Sequence, residues 1–291
     1  MKESFALIGP GRVGQAVARL LVEAGYPLLA LVSRDETRAR QAARFAGCPQ
    51  AASTDLQRAT AARLIMLAVP DDQLRPLAAR LHRLGLQPGT LLIHFSGFHP
   101  ADILLTDAEQ QLQALAIHPL QTFADAVMGT HNLPGSPCSV EGSPEALSRG
   151  EELVEALGGI PFRLRGEQKA LYHAAACVLS NNLVANTRAA CEIFAACGFE
   201  REQAFELLKP LLSGTLRSLT TLGPDLALTG PLSRGDIQTV TAHLDALAKL
   251  PDDLQQIYRV LGRKAVQIGL ERGSLDKKTA GMLSRLLAPP D

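Results

Sequence analysis

The first part of the chain alternates short apolar runs with longer amphipathic segments. The apolar runs have the length of buried strands and lie at 5–8, 28–32, 64–69, 91–95, 114–117, 136–141 and 160–164. The segments between them carry apolar residues at helical spacing, at 15–24, 38–45, 72–84 and 144–157. Regular alternation of strand and helix predicts crossover units and therefore a parallel sheet.

The pattern changes near residue 165. Beyond it only helical periodicity remains, at 167–194, 201–222, 236–249, 251–271 and 277–287. The sequence thus predicts two domains, an α/β domain over 1–165 and an all-helical domain over 166–291.

Composition narrows the class of protein. The 291 residues include 29 Lys or Arg and 29 Asp or Glu, so the formal net charge is zero, which disfavours a nucleic-acid or polybasic membrane surface. Apolar residues make up 46%, enough for a folded core, and the apolar runs are far too short to span a bilayer. Five irregularly spaced cysteines favour reduced thiols and a cytoplasmic location.

A glycine motif follows the first predicted strand. Gly9-Pro10-Gly11-Arg12-Val13-Gly14 matches G-x-G-x-x-G and opens the first helix, the context that dinucleotide binding requires. Gly9 would permit the tight turn, Gly11 the approach of a pyrophosphate to the helix N-terminus, and Gly14 close packing of helix on strand. The motif predicts a doubly wound Rossmann sheet, and the alternative is a glycine-rich turn that binds nothing.

The end of the second strand bears on the choice of dinucleotide. An NAD enzyme would place Asp or Glu there, whereas this chain has Ser33-Arg34, with Arg38 one turn later and Arg12 in the glycine loop. Guanidinium and hydroxyl groups suit a 2′-phosphate, so the sequence favours NADP. The alternative is that Arg34 and Arg38 are ordinary solvated charges.

Polar residues follow three more strands, at the edge where ligands of open α/β sheets bind. Val69-Pro70 is a candidate cofactor contact, although the aspartates after it are more typical of a helix cap. Ser96-Gly97 would let a ring or carboxylate approach, while His94 is typical of a core histidine. His118 suits either proton transfer or a structural hydrogen bond.

The first helix after residue 165 carries a narrow polar line. Lys169, His173 and Ser180 fall on one helical face among small residues, and Asn181 follows. Lys169 or His173 could donate a proton to a carbonyl oxygen, with Ser180 and Asn181 orienting the substrate. The alternative is a lysine near enough to the helix start to reach water.

One more candidate lies in a turn-rich loop. Arg234, in Gly230-Pro-Leu-Ser-Arg234-Gly-Asp236, could bind a substrate carboxylate or pair with Asp236. The His, Cys and Asp spacings do not indicate a metal site.

Together these segments resemble one family, the Rossmann-like oxidoreductases with a C-terminal helical domain of unknown function. The resemblance rests on the glycine turn, His94-x-Ser96-Gly97, His118-Pro119, Lys169 with Tyr172-His173, Ser180-Asn181 and Thr229-Gly-Pro-x-x-Arg-Gly-Asp236. The family is similar to pyrroline-carboxylate reductases, 6-phosphogluconate and β-hydroxyacid dehydrogenases and ketopantoate reductases. These relatives imply an NADP-dependent reductase that dimerises through its helical domain.

The chain departs from two of these relatives at one position. β-Hydroxyacid dehydrogenases and ketopantoate reductases carry Lys-x-x-x-Asn on the corresponding helix, and here His173 stands in place of Asn. The resulting hypothesis is an NADP-dependent oxidoreductase that transfers hydride to a small carbonyl substrate bearing a carboxylate, such as ketopantoate. The alternatives are a cyclic-imine reductase and an NADP(H)-binding sensor without catalysis.

Overall fold

The structure, a computed structural model, describes residues 2–105 and 112–289. Contacts divide it into two compact units, Met1–Ser180 and Asn181–Asp291. This division lies 15 residues beyond the position 165 expected from the sequence, so the first helix of the predicted helical domain packs with the α/β unit.

An eight-stranded sheet forms the centre of the first unit. Its strands are β1 (Phe5–Ile8), β2 (Leu28–Val32), β3 (Ala52–Ser53), β4 (Leu64–Leu67), β5 (Leu91–His94), β6 (Gln113–Pro119), β7 (Pro137–Gly142) and β8 (Ile160–Arg163). The spatial order is β3-β2-β1-β4-β5-β6-β7-β8. Neighbours are parallel except β6 and β7, so the last two strands run against the rest. The sheet is therefore mostly parallel, as predicted, and the reversal at β7 was not predicted.

Helices cover both faces of this sheet. They are α1 (Arg12–Glu23), α2 (Glu36–Phe45), α3 (Asp71–Leu84), α4 (Ala126–Asn132), α5 (Pro144–Ala156) and α6 (Lys169–Leu179). In β1, alternate residues enter opposite cores: Phe5 and Leu7 pack with α1 and α5, whereas Ala6 and Ile8 pack with α3. Because strand side chains alternate between faces, continuous apolar runs of this kind are buried on both sides. The predicted doubly wound Rossmann fold is confirmed.

The second unit is helical. It contains α7 (Asn181–Ala195), α8 (Arg201–Leu226), α9 (Pro231–Arg234), α10 (Ile237–Leu247), α11 (Asp252–Glu271) and α12 (Lys277–Leu286). Its core joins α10, α11 and α12 through Val240, Leu244, Val266 and Leu283. Among the described residues, no helix is long and apolar enough to cross a membrane.

The predicted single helix over 167–194 is wrong. Residues 166–168 form a 3₁₀ turn, α6 ends at Leu179, and α7 begins at Asn181. Ser180, Asn181 and Asn182 favour a break, because their short polar side chains compete with the helix for backbone hydrogen bonds.

Candidate functional site

The glycine turn packs as the sequence predicts at two of its three glycines. Gly9 has φ +87°, and a Cβ there would lie 2.6 Å from Val69 Cγ1 and 2.7 Å from the Ala68 carbonyl oxygen. A Cβ on Gly14 would lie 2.7 Å from the Gly9 carbonyl oxygen and 2.9 Å from Ala68 Cβ. Gly9 therefore closes the turn, and Gly14 lets α1 pack closely against the neighbouring strand.

Gly11 differs from the other two glycines. It is the N-cap of α1, and a Cβ built there meets no atom within 4 Å. The space beside it is open, and the first backbone N–H groups of α1 lack helical acceptors by geometry. The combination of open space, free donors and the positive end of the helix dipole suits a phosphate group.

A cavity of about 490 Å³ lies beside this turn. Its wall comes from the carboxyl ends of β1, β2 and β4, including Gly9, Pro10, Gly11, Ser33, Arg34, Val69 and Pro70. The chain passes from β1 to β2 on one side and later to β4 on the other, so the cavity occupies the point where strand order reverses. Open α/β sheets bind ligands at this point.

The cavity is rich in cationic groups. Arg34, Arg38 and Arg80 line it together with a single carboxylate, Asp35, which caps α2 by accepting the backbone N–H of Arg38 at 3.0 Å. Arg12 is exposed and lies outside the lining, whereas Val13 packs against the core, so only its backbone could face a ligand.

Residues at the far wall were missed by sequence reasoning. Gln73, Leu77 and Arg80 project from α3 into the same cavity. Their spacing of four and then three residues places them on one helical face, which was the signal available in the sequence. Only the fold shows that this face meets the glycine turn.

Farther along the sheet edge, Ser96 is held by hydrogen bonds to five residues. Its backbone N–H donates to His94 Nδ1 at 3.1 Å, its hydroxyl donates to Asp71 Oδ2 at 3.0 Å, and its carbonyl oxygen accepts from Lys169 Nζ at 3.0 Å. The hydroxyl oxygen also accepts the N–H groups of Phe98 and His99. Ser96 is thus anchored on every polar group.

His94 is a core histidine. Its side chain is fully buried, and burial lowers its pKa to about 3. Because Nδ1 accepts from Ser96, the ring proton lies on Nε2, which donates to the Pro100 carbonyl oxygen at 3.2 Å.

Lys169 is the first residue of α6, and its side chain has no solvent exposure. Burial lowers the pKa of its ammonium to about 8, while the nearby carboxylates of Glu141 and Asp71 oppose this shift. Within the described part of the chain, no carboxylate lies within the 4.0 Å of an ion pair with Lys169. The ammonium is therefore anchored to the Ser96 carbonyl in a site where its charge is costly.

His118 and His173 meet at Gly97. Their ring centroids are 5.9 Å apart, and a Cβ on Gly97 would lie 2.9 Å from His118 Nε2 and 2.6 Å from His173 Cδ2. Only glycine therefore allows both rings this close to the loop. His118 Nδ1 lies 2.8 Å from the hydroxyl of Tyr172, and burial, together with Lys169 and His173, lowers the pKa of His118 to about 4.

The structure brings Ser96, Gly97, His118, Lys169 and His173 together within the first unit. Ser180 ends α6 in the same unit and is half-buried. Tyr172, Asp71 and Glu141 complete the cluster but were not singled out as site residues. Asp71 and Glu141 come from α3 and β7, and Tyr172 was visible only as part of the motif beside His173 on α6.

Asn181 and Arg234 belong to the second unit and are exposed. Arg234 and Asp236, both within the described residues, lie farther apart than the ion pair considered from the sequence would require, although, after the hydrogen bonds from Thr239, the charge of Arg234 contributes to lowering the pKa of Asp236. The carboxylate of Asp236 instead accepts the backbone N–H and hydroxyl of Thr239, at 3.0 and 2.6 Å. In the described ranges no cluster of three or more His, Cys, Asp or Glu could hold a metal ion.

Two family models match the sequence. The Rossmann-like domain matches residues 2–119, and the domain of unknown function DUF2520 matches residues 136–265. The second match begins at β7, so it includes the last strands of the sheet and α6 as well as helices of the second unit. No curated protein matches the chain in sequence.

Solved structures share the fold across nearly the whole chain. A candidate NADP oxidoreductase from Bacteroides fragilis has a TM-score of 0.72 at 24% identity, covering 91% of this chain and 98% of that one. A pyrroline-5-carboxylate reductase from Coxiella burnetii has 0.60 at 14%, covering 98% and 99%. An NADH-preferring ketol-acid reductoisomerase from an uncultured archaeon has 0.65 at 15%, covering 99% and 95%. The chain is thus similar to Rossmann-like domains over residues 2–119 and to the domain of unknown function DUF2520 over residues 136–265.

Proposed function

We propose that this protein is an NADP-dependent oxidoreductase acting on a small carbonyl substrate that bears a carboxylate, such as ketopantoate. The observation that carries the proposal is the cavity beside the glycine turn, where open space at Gly11 adjoins Arg34 and Arg38. The helix N-terminus suits a pyrophosphate, and the guanidinium groups of Arg34 and Arg38 suit a 2′-phosphate. The oxidoreductases among proteins of similar fold support the same class of cofactor.

When bound, the nicotinamide would supply a hydride to the substrate carbon. The polar cluster at Ser96, Gly97, His118, Lys169 and His173 would supply the remaining chemistry. The backbone of Gly97 gives a close approach, while Lys169 or His173 provides the proton for the substrate oxygen. Because β5 and β6 end at the same sheet edge as the cavity, we place the reaction beside this cluster.

Equilibrium titration tests the cofactor assignment. We expect NADPH to bind the full chain at least tenfold more tightly than NADH, a difference of about 1.4 kcal/mol. Arg34→Ala and Arg38→Ala should remove this preference, whereas Arg75→Ala, an exposed arginine of α3 outside the cavity lining, should keep it. Equal affinities for the two cofactors in the wild type would refute NADP selectivity, and no binding of either would refute the proposal.

Turnover separates the alternatives. Oxidation of NADPH with ketopantoate or related 2-oxo acids would support the carbonyl reductase, whereas oxidation only with pyrroline-5-carboxylate would support a cyclic-imine reductase. The latter is kept because a protein of similar fold is a pyrroline-5-carboxylate reductase. Tight cofactor binding without turnover of any of these compounds would support a sensor.

We further propose a homodimer formed through the helices of the second unit. Val184 of α7 and Leu207, Leu211 and Leu222 of α8 are each more than half exposed, and apolar exposure on this scale is typical of an interface. Leu211→Glu should convert a dimer to a monomer in analytical ultracentrifugation. A wild-type monomer at micromolar concentration would contradict this proposal.

The five unpaired cysteines support a cytoplasmic location.

A further inference from the structure

The hydrogen bond between His118 and Tyr172 determines where the imidazole proton lies. The phenol oxygen is 2.8 Å from His118 Nδ1 and 3.5 Å from the His118 carbonyl oxygen. The rings meet edge to face, with centroids 5.5 Å apart. Both residues belong to the first compact unit of the chain.

His118 carries a single ring proton at neutral pH. Its ring is largely removed from water, and the groups that face it are Lys169, Tyr172 and His173 from α6 and His94 from β5. The nearby ammonium and the loss of hydration both disfavour a second proton, so His118 remains a neutral imidazole.

Tyr172 keeps its own proton, because burial raises the pKa of the phenol. That proton needs an acceptor. The contact with Nδ1 at 2.8 Å is an ordinary hydrogen bond, and the contact with the His118 carbonyl oxygen at 3.5 Å lies at the limit of one. The buried Ser139 hydroxyl lowers the pKa of the phenol but has no hydrogen-bond partner among the described residues. The phenol therefore donates to Nδ1. A neutral imidazole that accepts at Nδ1 must hold its proton on Nε2.

The Nε2 side of the ring is turned toward Gly97. Nε2 lies 2.9 Å from the position that a Gly97 Cβ would occupy, and among the described residues it has no hydrogen-bond partner. Glycine thus leaves a polar N–H uncovered beside the anchored Ser96. Such a donor suits an acceptor oxygen or nitrogen of a small ligand.

We propose that Tyr172 is a positioning residue that fixes His118 as the neutral Nε2–H form and presents this N–H at the Gly97 face. Resting on the proposed function, the N–H meets the carbonyl oxygen of the substrate. No proton leaves His118: it donates a hydrogen bond that strengthens as negative charge grows on that oxygen. The proton itself comes from another group, so His118 and the proton donor have separate roles.

Nuclear magnetic resonance of the free full-length protein tests the tautomer. In ¹⁵N-histidine-labelled wild type, long-range ¹H–¹⁵N spectra should show a protonated Nε2 and an unprotonated Nδ1 for the signal that disappears in His118→Gln. Tyr172→Phe should replace this pattern with a tautomer mixture. A protonated Nδ1 in the wild type, or an unchanged pattern in a folded Tyr172→Phe variant, would overturn the inference.

The chain offers a matched control. His243 Nδ1 lies 2.9 Å from the Tyr258 hydroxyl in the second unit, with ring centroids 5.8 Å apart. Tyr258→Phe should change the His243 signal and leave that of His118 unaltered. If Tyr172→Phe does not fold, the wild-type spectrum alone still decides the position of the proton.

The kinetic arm uses NADPH and ketopantoate. Tyr172→Phe should lower kcat by about tenfold or more while leaving NADPH affinity unchanged. The reason is that His118 would no longer be held in the tautomer that donates a hydrogen bond to the reacting oxygen. A fixed Nε2–H without reductase activity would refute the proposed function and keep the tautomer assignment. Reductase activity with the His118 proton on Nδ1 would keep the proposed function and refute the tautomer assignment.

Discussion

Replacing Gly9 by alanine tests how tightly the glycine turn packs, and the chain provides a control with the same backbone strain. Gly9 and Gly25 have φ of +87° and +86°, values that disfavour any side chain by about 1–2 kcal/mol. At Gly25 a Cβ would meet no atom within 4 Å. At Gly9 it would collide with Val69 Cγ1 at 2.6 Å and with the Ala68 carbonyl oxygen at 2.7 Å.

The two variants therefore differ by the collision alone. Overpacking of this kind costs about 1–3 kcal/mol, so Gly9→Ala should lower the free energy of unfolding by about 2–5 kcal/mol in total. Gly25→Ala should lower it by only about 1–2 kcal/mol. Urea unfolding of both variants and the wild type, followed by circular dichroism, measures the difference. Equal losses would refute the reasoning, because they would mean that Ala68 and Val69, just after β4, move freely away from the added methyl group.

Three further predictions follow from single positions. Gly11→Ala should weaken NADPH binding at least tenfold and change the free energy of unfolding by less than about 1 kcal/mol, because its Cβ would occupy only the open space of the turn; a fall in stability with intact binding would contradict this. Lys169 has a pKa lowered by burial to about 8, so the unfolded state binds more protons than the folded state between pH 8 and its ordinary value of 10.5. Relative to Lys169→Met, the wild type should gain about 3 kcal/mol over that window in urea titrations, because the other groups that titrate there are common to both proteins, whereas parallel pH profiles would refute it. Gly97→Ala should displace the His118 ring and shift its resonances, whereas Gly281→Ala, with nothing within 4 Å of its Cβ, should leave them unaltered.

The sequence by itself determined that the first unit is a doubly wound sheet, although not the reversed direction of β7 and β8. Strand runs such as 5–8 and 64–69 are apolar throughout, because the strands of a parallel sheet are covered on both faces. This pattern identifies them as buried strands of a parallel sheet. The glycine motif was equally readable, because its position between the first strand and the first helix is a local pattern. The contacts with Ala68 and Val69 that require Gly9 come from a distant segment and were not visible. The single helix predicted over 167–194 was wrong, because apolar residues keep their helical spacing across Ser180. The helix itself ends at Leu179, and a new helix begins at Asn181.

Only the tertiary structure decided which side chains share a site and what state each takes. Arg80 reaches the cavity from α3, and Ser96 is anchored by Asp71 and Lys169, which lie 25 residues before it and 73 after it in the chain. The strand-end position of His118 was visible in the sequence, but its partner Tyr172 and its depressed pKa were not. Hydrogen bonds and burial depend on distances between elements that the fold alone brings together, and no local pattern encodes them.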